Sequence, residues 1–394
     1  MRLSYDDAAE AFRAEFVGYL EANAPTPEEM AAEPKRSSAH LPDWGRRWQR
    51  KLYDDGWLVP GWPPELGGRN ASPVQTMVYF EELSRRRIPR ALNPQGLGII
   101  APSLVDYGND EQKQRYLLPT LRAEVTWCLG MSEPGAGSDL AGLRTRAELD
   151  GDHWVVNGQK VWTSGAHDAN HCFCFVRTEP EASKHKGISV LIIDMDTPGI
   201  TCRPLPELTS KEHADFNEVF FEDVRVPADR LIGERGNGWQ ISLGSLAHER
   251  GMLWIAQQTE LERDVESLIA LGRERSDIGA DPGFRDRIAD AYIDAQAMKV
   301  MGYRGFAKFA QGRAAPEHPI LKLFGSESSR RVLQLAIEVL GPEAFDRAVI
   351  APTESPRPGS WAENYFWSYA RTIAGGTSEI QRNIIAERLL GLPR

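Results

Sequence analysis

The spacing of apolar residues changes twice along this chain, and the two changes fix its architecture before any motif is considered. Phe12, Phe16, Val17 and Leu20 share one helix face, Trp48 and Leu52 repeat the pattern, and Val74, Met77, Val78 and Leu83 extend it. Pro and Gly interrupt this helical period from Gly56 to Gly68 (GWLVPGWPPELGG); it resumes at Val74 and again around Tyr116 to Leu121. From about residue 124 the period drops to two. His171 to Val176, Ile188 to Ile193 and Glu218 to Val226 read as strands, closed by Pro227. Trp154-Val155-Val156 and Gln159-Lys160-Val161-Trp162 flank Asn157-Gly158. That arrangement predicts a hairpin, because a two-residue type I′ turn needs positive φ at both central positions. From Trp239 the helical period returns, over 238–271, 283–312, 318–340 and 378–390. Ser378 is placed to cap the last helix, with Gln381 three residues on to complete a capping box. The order is α, then β, then α, without an internal repeat.

Composition narrows the partners. A net charge of -10 argues against a general nucleic-acid binder, which would carry a basic stripe. It leaves room for an anionic small ligand held by a few Arg residues or backbone N–H groups. The N-terminus lacks a basic stretch followed by an apolar core, so no signal peptide is expected. No apolar run reaches the roughly 18 residues a membrane span needs. Cys128, Cys172, Cys174 and Cys202 form no CxxC pair, which suggests neither a zinc site nor a disulfide framework and fits a cytoplasmic protein. His167 and His171 are four apart but separated by loop residues, so no metal site is expected.

Three stretches carry chemistry. In Met131-Ser132-Glu133-Pro134-Gly135-Ala136-Gly137-Ser138-Asp139, Gly135 and Gly137 let the backbone approach a ligand, and exposed N–H groups could cradle an anion. In Lys160-Val161-Trp162-Thr163-Ser164-Gly165, an indole could stack on a planar cofactor beside a hydroxyl. In Gly375-Gly376-Thr377-Ser378-Glu379-Ile380-Gln381-Arg382, two glycines precede a helix start, an anion-friendly arrangement. Taken singly, each has a plain structural reading as well: a Gly-rich turn, a core Trp, a helix entry.

Taken together, they are specific. EPGAGSD, QKVWTSG, Arg225-Val226-Pro227 and GGTSEIQRNIIAER resemble the acyl-CoA dehydrogenase family in order and spacing, over nearly the whole chain. The resemblance implies an α+β fold: an N-terminal helical domain (1–123), a middle β-barrel-like domain (124–236) and a C-terminal four-helix bundle (237–394). It implies FAD as cofactor and α,β-dehydrogenation of a coenzyme A thioester as the reaction. Met131 and Ser132 would border the flavin pyrimidine, Ser138 the pyrophosphate region with Gly137 in the same cofactor-binding loop, Trp162 the isoalloxazine, Ser164 its N5 side, and Thr377 the bundle edge of the cofactor.

Such chemistry needs a base for the α proton. Many family members carry a Glu immediately before the last Gly-Thr of the C-terminal motif, where this chain has Gly375. A second group places the Glu on the first long helix of the C-terminal bundle, and here Glu249 lies there. Leu246, Met252 and Leu253 share its helix face, an environment that raises a carboxyl toward the range useful to a base. A structural ion pair is the alternative role. His248 and Arg250 flank it as substrate-pocket residues, and Gly375 would still offer its backbone N–H to the thioester carbonyl.

Two segments that reach a neighbouring subunit's FAD in the family are altered. Arg275-Ser276-Asp277-Ile278-Gly279 keeps Arg and Gly but has Ile278 for Phe, and Glu338-Val339-Leu340-Gly341-Pro342 has Glu and Pro where Gln and Gly are usual. Both a homo-oligomer and a heteromer with a paralogous subunit are open on this basis. The expected electron acceptor is an electron-transfer flavoprotein, and the helix position of the base leans toward a branched or bulky acyl group. The competing functions are a flavin oxidase or monooxygenase on the same fold, and a non-catalytic subunit of a heteromer.

Overall fold

The computed structural model describes residues 5–209, 214–311, 313, 315, 317–346 and 359–393; within 245–253 it describes only the backbone of a helix. The chain forms two compact units, one of Met1–Thr76 with Pro89–Glu249 and the other of Met77–Ile88 with Arg250–Arg394.

Helices α1 (Asp7–Asn23), α2 (Pro27–Ala32), α3 (Asp43–Asp54) and α4 (Pro73–Arg86) open the chain, followed by α5 (Ala101–Tyr107), α6 (Asp110–Gln112) and α7 (Leu118–Leu121). The apolar stripe of α1 buries Phe12, Phe16 and Leu20. Trp57, from the Pro/Gly break, stacks on it, with its ring centroid 5.3 Å from that of Phe12 and 4.6 Å from that of Phe16. Trp48 and Leu52 of α3 are buried, as their spacing requires.

Among the described residues eight strands follow: β1 (Trp127–Gly130), β2 (Arg146–Asp150), β3 (His153–Lys160), β4 (His171–Arg177), β5 (Ile188–Asp194), β6 (Ile200–Pro204), β7 (Asn217–Pro227) and β8 (Leu231–Ile232). They form one mixed sheet in the order β6-β7-β3-β2-β4-β5-β8, with β1 paired parallel to β4. The three predicted strands are β4, β5 and β7. Short β1, β2, β6 and β8 carry too few residues for a period to register.

The predicted Asn157-Gly158 hairpin is wrong. β3 runs straight through both residues, and the reversal lies earlier, between Asp150 of β2 and His153 of β3. Asn157-Gly158 instead faces a bulge in β7, where the register with β3 slips between Val156 and Gly158. The Asn157 side chain holds the bulge, donating to the Asp223 carboxylate and accepting from the Asp223 N–H, each at 2.9 Å. Asp223 takes the positive φ, 51°, that the extra residue needs. Gly158 is required by proximity, since a Cβ there would lie 2.6 Å from the Thr145 Cα. The bulge changes the parity of β7: Val219 and Phe221 are inward before it, Val224 and Val226 after it, and all four join one core with Trp154 and Val156.

In the second unit, α8 (Gly238–Glu274), whose residues from Arg250 onward belong to it, is followed by α9 (Ser276–Gly279), α10 (Pro282–Phe309), α11 (Glu317–Leu340), α12 (Trp361–Ile373) and α13 (Ser378–Ile384). Gly302 lets α10 close on α8, because a Cβ there would lie 2.2 Å from the Trp254 ring. Helix α12 was not anticipated. Its signal is the capping box in which Ser360 and Glu363 exchange side-chain and backbone bonds. No helix among the described residues is long and apolar enough to cross a membrane.

Candidate active site

The Gly-rich turn begins where β1 ends. Glu133 and Ala136 exchange backbone hydrogen bonds of 3.1 and 3.0 Å, which closes a tight turn and leaves Pro134, Gly135, Gly137 and Ser138 exposed. A Cβ on Gly135 or Gly137 would meet nothing within 4 Å, so the protein's own packing does not require either glycine. Beneath the turn the Glu133 carboxylate is buried and accepts from the Arg144 N–H at 2.7 Å, the Thr145 N–H at 2.9 Å and the Lys160 ammonium at 2.9 Å. Burial pushes this carboxyl up, but the Lys160 charge and the donated hydrogen bonds outweigh it and hold it below its ordinary value.

Trp162 stands beside this turn. It has a left-handed backbone, φ 60°, and is 62% exposed, touching Phe216 edge-on at 5.9 Å between centroids. A bulky side chain held in that conformation is costly and persists only where its surroundings over-determine it. Here they do. Thr163 N–H donates to the Asn217 carbonyl and Gly165 N–H to the Asp215 carbonyl, at 3.1 and 2.7 Å. The Asp215 carboxylate in turn accepts from the Ser38 N–H and hydroxyl at 2.5 and 2.6 Å. Gly165 packs so closely that a Cβ would sit 2.5 Å from the Ala39 nitrogen. Ser164, half-buried, lies between these anchors. The structure thus brings Met131, Ser132, Gly137, Ser138, Trp162 and Ser164 into one region. His167 and His171 have separate partners, Asn217 at 3.0 Å and Asp194 at 2.7 Å.

In the second unit, the residues between α12 and α13 form a glycine turn, with Gly375 at φ 67° and Gly376 at φ 94°. Lys322 of α11 donates to the Gly376 carbonyl at 2.6 Å, and the Gln381 amide donates to the Gly375 carbonyl at 3.0 Å. The expected cap is displaced by one residue. Thr377, not Ser378, caps α13, accepting from the Ile380 N–H at 3.2 Å. Ser378 is the first helical residue and donates to Glu327 of α11 at 2.6 Å, which lowers that carboxyl. Gln381 is taken by Gly375 and serves the turn before the helix.

Arg275 is engaged within its own chain, by Asp277 at 2.8 Å and Glu343 at 2.5 Å. Ile278 beside it is buried. Glu338 pairs with Arg287 and accepts from Gln334 at 2.9 Å. Helix α8 passes unbroken through His248, Glu249 and Arg250, whose side chains lie outside the described residues.

Sequence reasoning missed Lys160 and Lys322, the cations that brace the two glycine turns. The Lys160 signal was there to find: it shares parity with Trp154 and Val156, the inward face of β3, once no turn is placed between them.

Family models for the N-terminal, middle and C-terminal domains of acyl-CoA dehydrogenases match residues 6–124, 128–224 and 236–390. Acyl-CoA dehydrogenase IpdE1 of Mycobacterium tuberculosis is 40% identical over 355 residues, covering 89% of this chain and 88% of the relative. Among solved structures, the ChsE4-ChsE5 complex from Mycobacterium tuberculosis is similar at 30% identity and a TM-score of 0.82, with both chains covered completely (100%). The Tcur3481-Tcur3483 steroid ACAD is similar at 30% identity and a TM-score of 0.83, also over 100% of each chain. With all three domains matched in order along one sheet and two helical regions, the chain belongs to the acyl-CoA dehydrogenase family and is an enzyme of that class.

Proposed function

We propose that this enzyme is FAD-dependent and removes hydrogen from the α and β carbons of a coenzyme A thioester with a bulky acyl group, with Glu249 as the base. The observation that carries the reading is Trp162: a large indole, 62% exposed, held rigidly at φ 60° beside a turn whose glycines leave open space. The residues present fit a flavin dinucleotide, since an exposed aromatic plane suits a conjugated ring and an exposed Gly-Ser turn suits phosphate oxygens. Met131, Ser132, Gly137, Ser138, Trp162 and Ser164 would hold it. FAD, when bound, accepts the hydride that leaves the β carbon.

Glu249 takes the α proton in this reading, with His248 and Arg250 lining the substrate pocket. Its place on an unbroken α8 among Leu246, Met252 and Leu253 supports the role, as does the absence of a carboxylate at Gly375. The Gly375 N–H would polarise the thioester carbonyl. The steroid ACAD relative supports a bulky acyl group, and the ChsE4-ChsE5 complex supports assembly with a paralogous subunit. An electron-transfer flavoprotein is the proposed acceptor of the electrons. The four unpaired thiols accord with a reducing, cytoplasmic setting.

The second reading is a non-catalytic subunit. It is favoured by Arg275, which its own Asp277 and Glu343 occupy instead of leaving it to reach a neighbour's cofactor. One experiment separates the two: flavin bleaching by a panel of acyl-CoA thioesters, in the parent and in Glu249→Gln. A positioned base contributes about 10²- to 10⁴-fold, so the variant should bind thioester yet reduce flavin slower by that order. Equal rates in parent and variant would remove Glu249 from the mechanism. No bleaching by any thioester would favour the second reading.

A further inference from the structure

The last residue of β3 and the residue after it, Lys160 and Val161, hold three consecutive residues of the Gly-rich turn. The Lys160 ammonium donates to the Met131 carbonyl at 3.2 Å and to the Glu133 carboxylate at 2.9 Å, and the Val161 N–H donates to the Ser132 carbonyl at 2.9 Å. Lys160 is wholly buried, and Glu133 is 8% exposed. Stability alone does not account for such a pair, because a well-packed apolar pair of similar volume often serves a core as well or better. What an apolar pair lacks is direction. An ammonium with three donors can draw a carbonyl and a carboxylate to the same inner point. It thereby fixes which side of the turn is left to face outward, here Pro134, Gly135, Gly137 and Ser138. The residue after Val161 is Trp162, just past the end of β3, so one short segment sets both the turn and the indole.

We propose that Lys160, through Glu133 and the Met131 carbonyl, is the positioning residue of the cofactor turn: it presets the turn for FAD and never touches the cofactor itself. This rests on the placement of FAD proposed above.

The test compares Lys160→Met with the double variant Lys160→Met/Glu133→Gln. The single change strands a buried carboxylate and is expected to lower the melting temperature. The double change leaves no uncompensated charge, so its apoprotein should melt within a few degrees of the parent. The readouts are FAD affinity, by titration of apoprotein, and the absorption band of bound flavin. Both variants should bind FAD at least about tenfold more weakly, the equivalent of one or two lost positioning hydrogen bonds, and the double variant should show a shifted band. A double variant with the parent's melting temperature, affinity and band would overturn the proposal. So would a double variant that melts as low as the single one, which would make the pair a stability element. Trp162→Ala and Ser138→Ala, run alongside, keep the two claims apart. If they weaken FAD and the Lys160 variants do not, only the positioning role fails. If none of the changes affects FAD, the placement of the cofactor at this turn fails.

Discussion

Replacing Trp162 by Ala separates what the indole does for the fold from what it does for a ligand. A Trp side chain can bury about 150–250 Å². With 62% of Trp162 exposed, roughly two-fifths of that is covered in the free protein. At about 25 cal/mol per Å² the covered part is worth roughly 1.5–2.5 kcal/mol, as an upper bound. Ala at φ 60° keeps the backbone strain, so that contribution cancels between parent and variant. The apoprotein should therefore lose no more than about 2.5 kcal/mol. Stacking of a planar heterocycle on an aromatic side chain is worth about 1–3 kcal/mol, which is roughly a five- to 150-fold weaker Kd for FAD. Trp162→Phe should recover most of it. The assay is titration of apoprotein with FAD, beside thermal melting without it. A Kd within about twofold of the parent would refute the reasoning, because the exposed indole would then contribute no binding.

The Gly375→Glu change in a Glu249→Gln background should fold, since nothing lies within 4 Å of a Cβ there, though φ 67° costs a non-glycine residue about 1–2 kcal/mol. Partial return of thioester-driven flavin bleaching, with altered acyl preference, is the expected result. Asp264 is buried, and its carboxyl is pushed up to about 8, by burial first and then by Glu260, against the opposing charges of Arg371 and Arg263. The native state therefore keeps a proton that the unfolded chain has released, and stability should fall as pH rises from the ordinary carboxyl range to about 8 and then level off. Asp264→Asn should flatten that slope in urea titrations across the range; an unchanged slope would assign it to another group. Thr377→Ala removes the cap on the Ile380 N–H and should cost about 1 kcal/mol by thermal melting.

Long elements were legible because their signals are redundant. Helices α8, α10 and α11 repeat an apolar face over many turns, and β7 carries alternating residues on both sides of its bulge. The failures share a cause, which is that local chemistry admits two geometries. Asn-Gly is a turn signal because both residues tolerate positive φ, yet here Gly158 takes φ 152° within a strand, the left-handed φ of 51° falls on Asp223 across the sheet, and Asn157 supplied its amide to hold it. Thr377 and Ser378 are both competent caps, and the choice between them fell to Glu327 on another helix, which sequence spacing cannot express. The same holds for the site. Its glycines and Trp162 were visible as types, whereas Lys160 and Lys322 act through contacts 29 and 54 residues away along the chain.

The bulge at Asp223 works as a phase adjuster between two strands of different count. It lets β3 keep a single parity from Trp154 to Lys160, so the ammonium arrives on the inward side, while β7 changes parity to keep Val224 and Val226 there as well. Length changes in this region are thereby sorted by position. An insertion between Asp150 and His153 lengthens a surface turn and leaves the phase downstream untouched. Deleting Asp223 removes the extra residue and restores a regular ladder, with Glu222 alone opposite Asn157 and Val219, Phe221, Val224 and Val226 still inward, whereas deleting Arg225 beyond the bulge would shift the phase by one and turn Val226 to the other face. In this fold the tolerance of the sheet to insertion and deletion is set by counting, and the count is anchored at the Asn157–Asp223 contact.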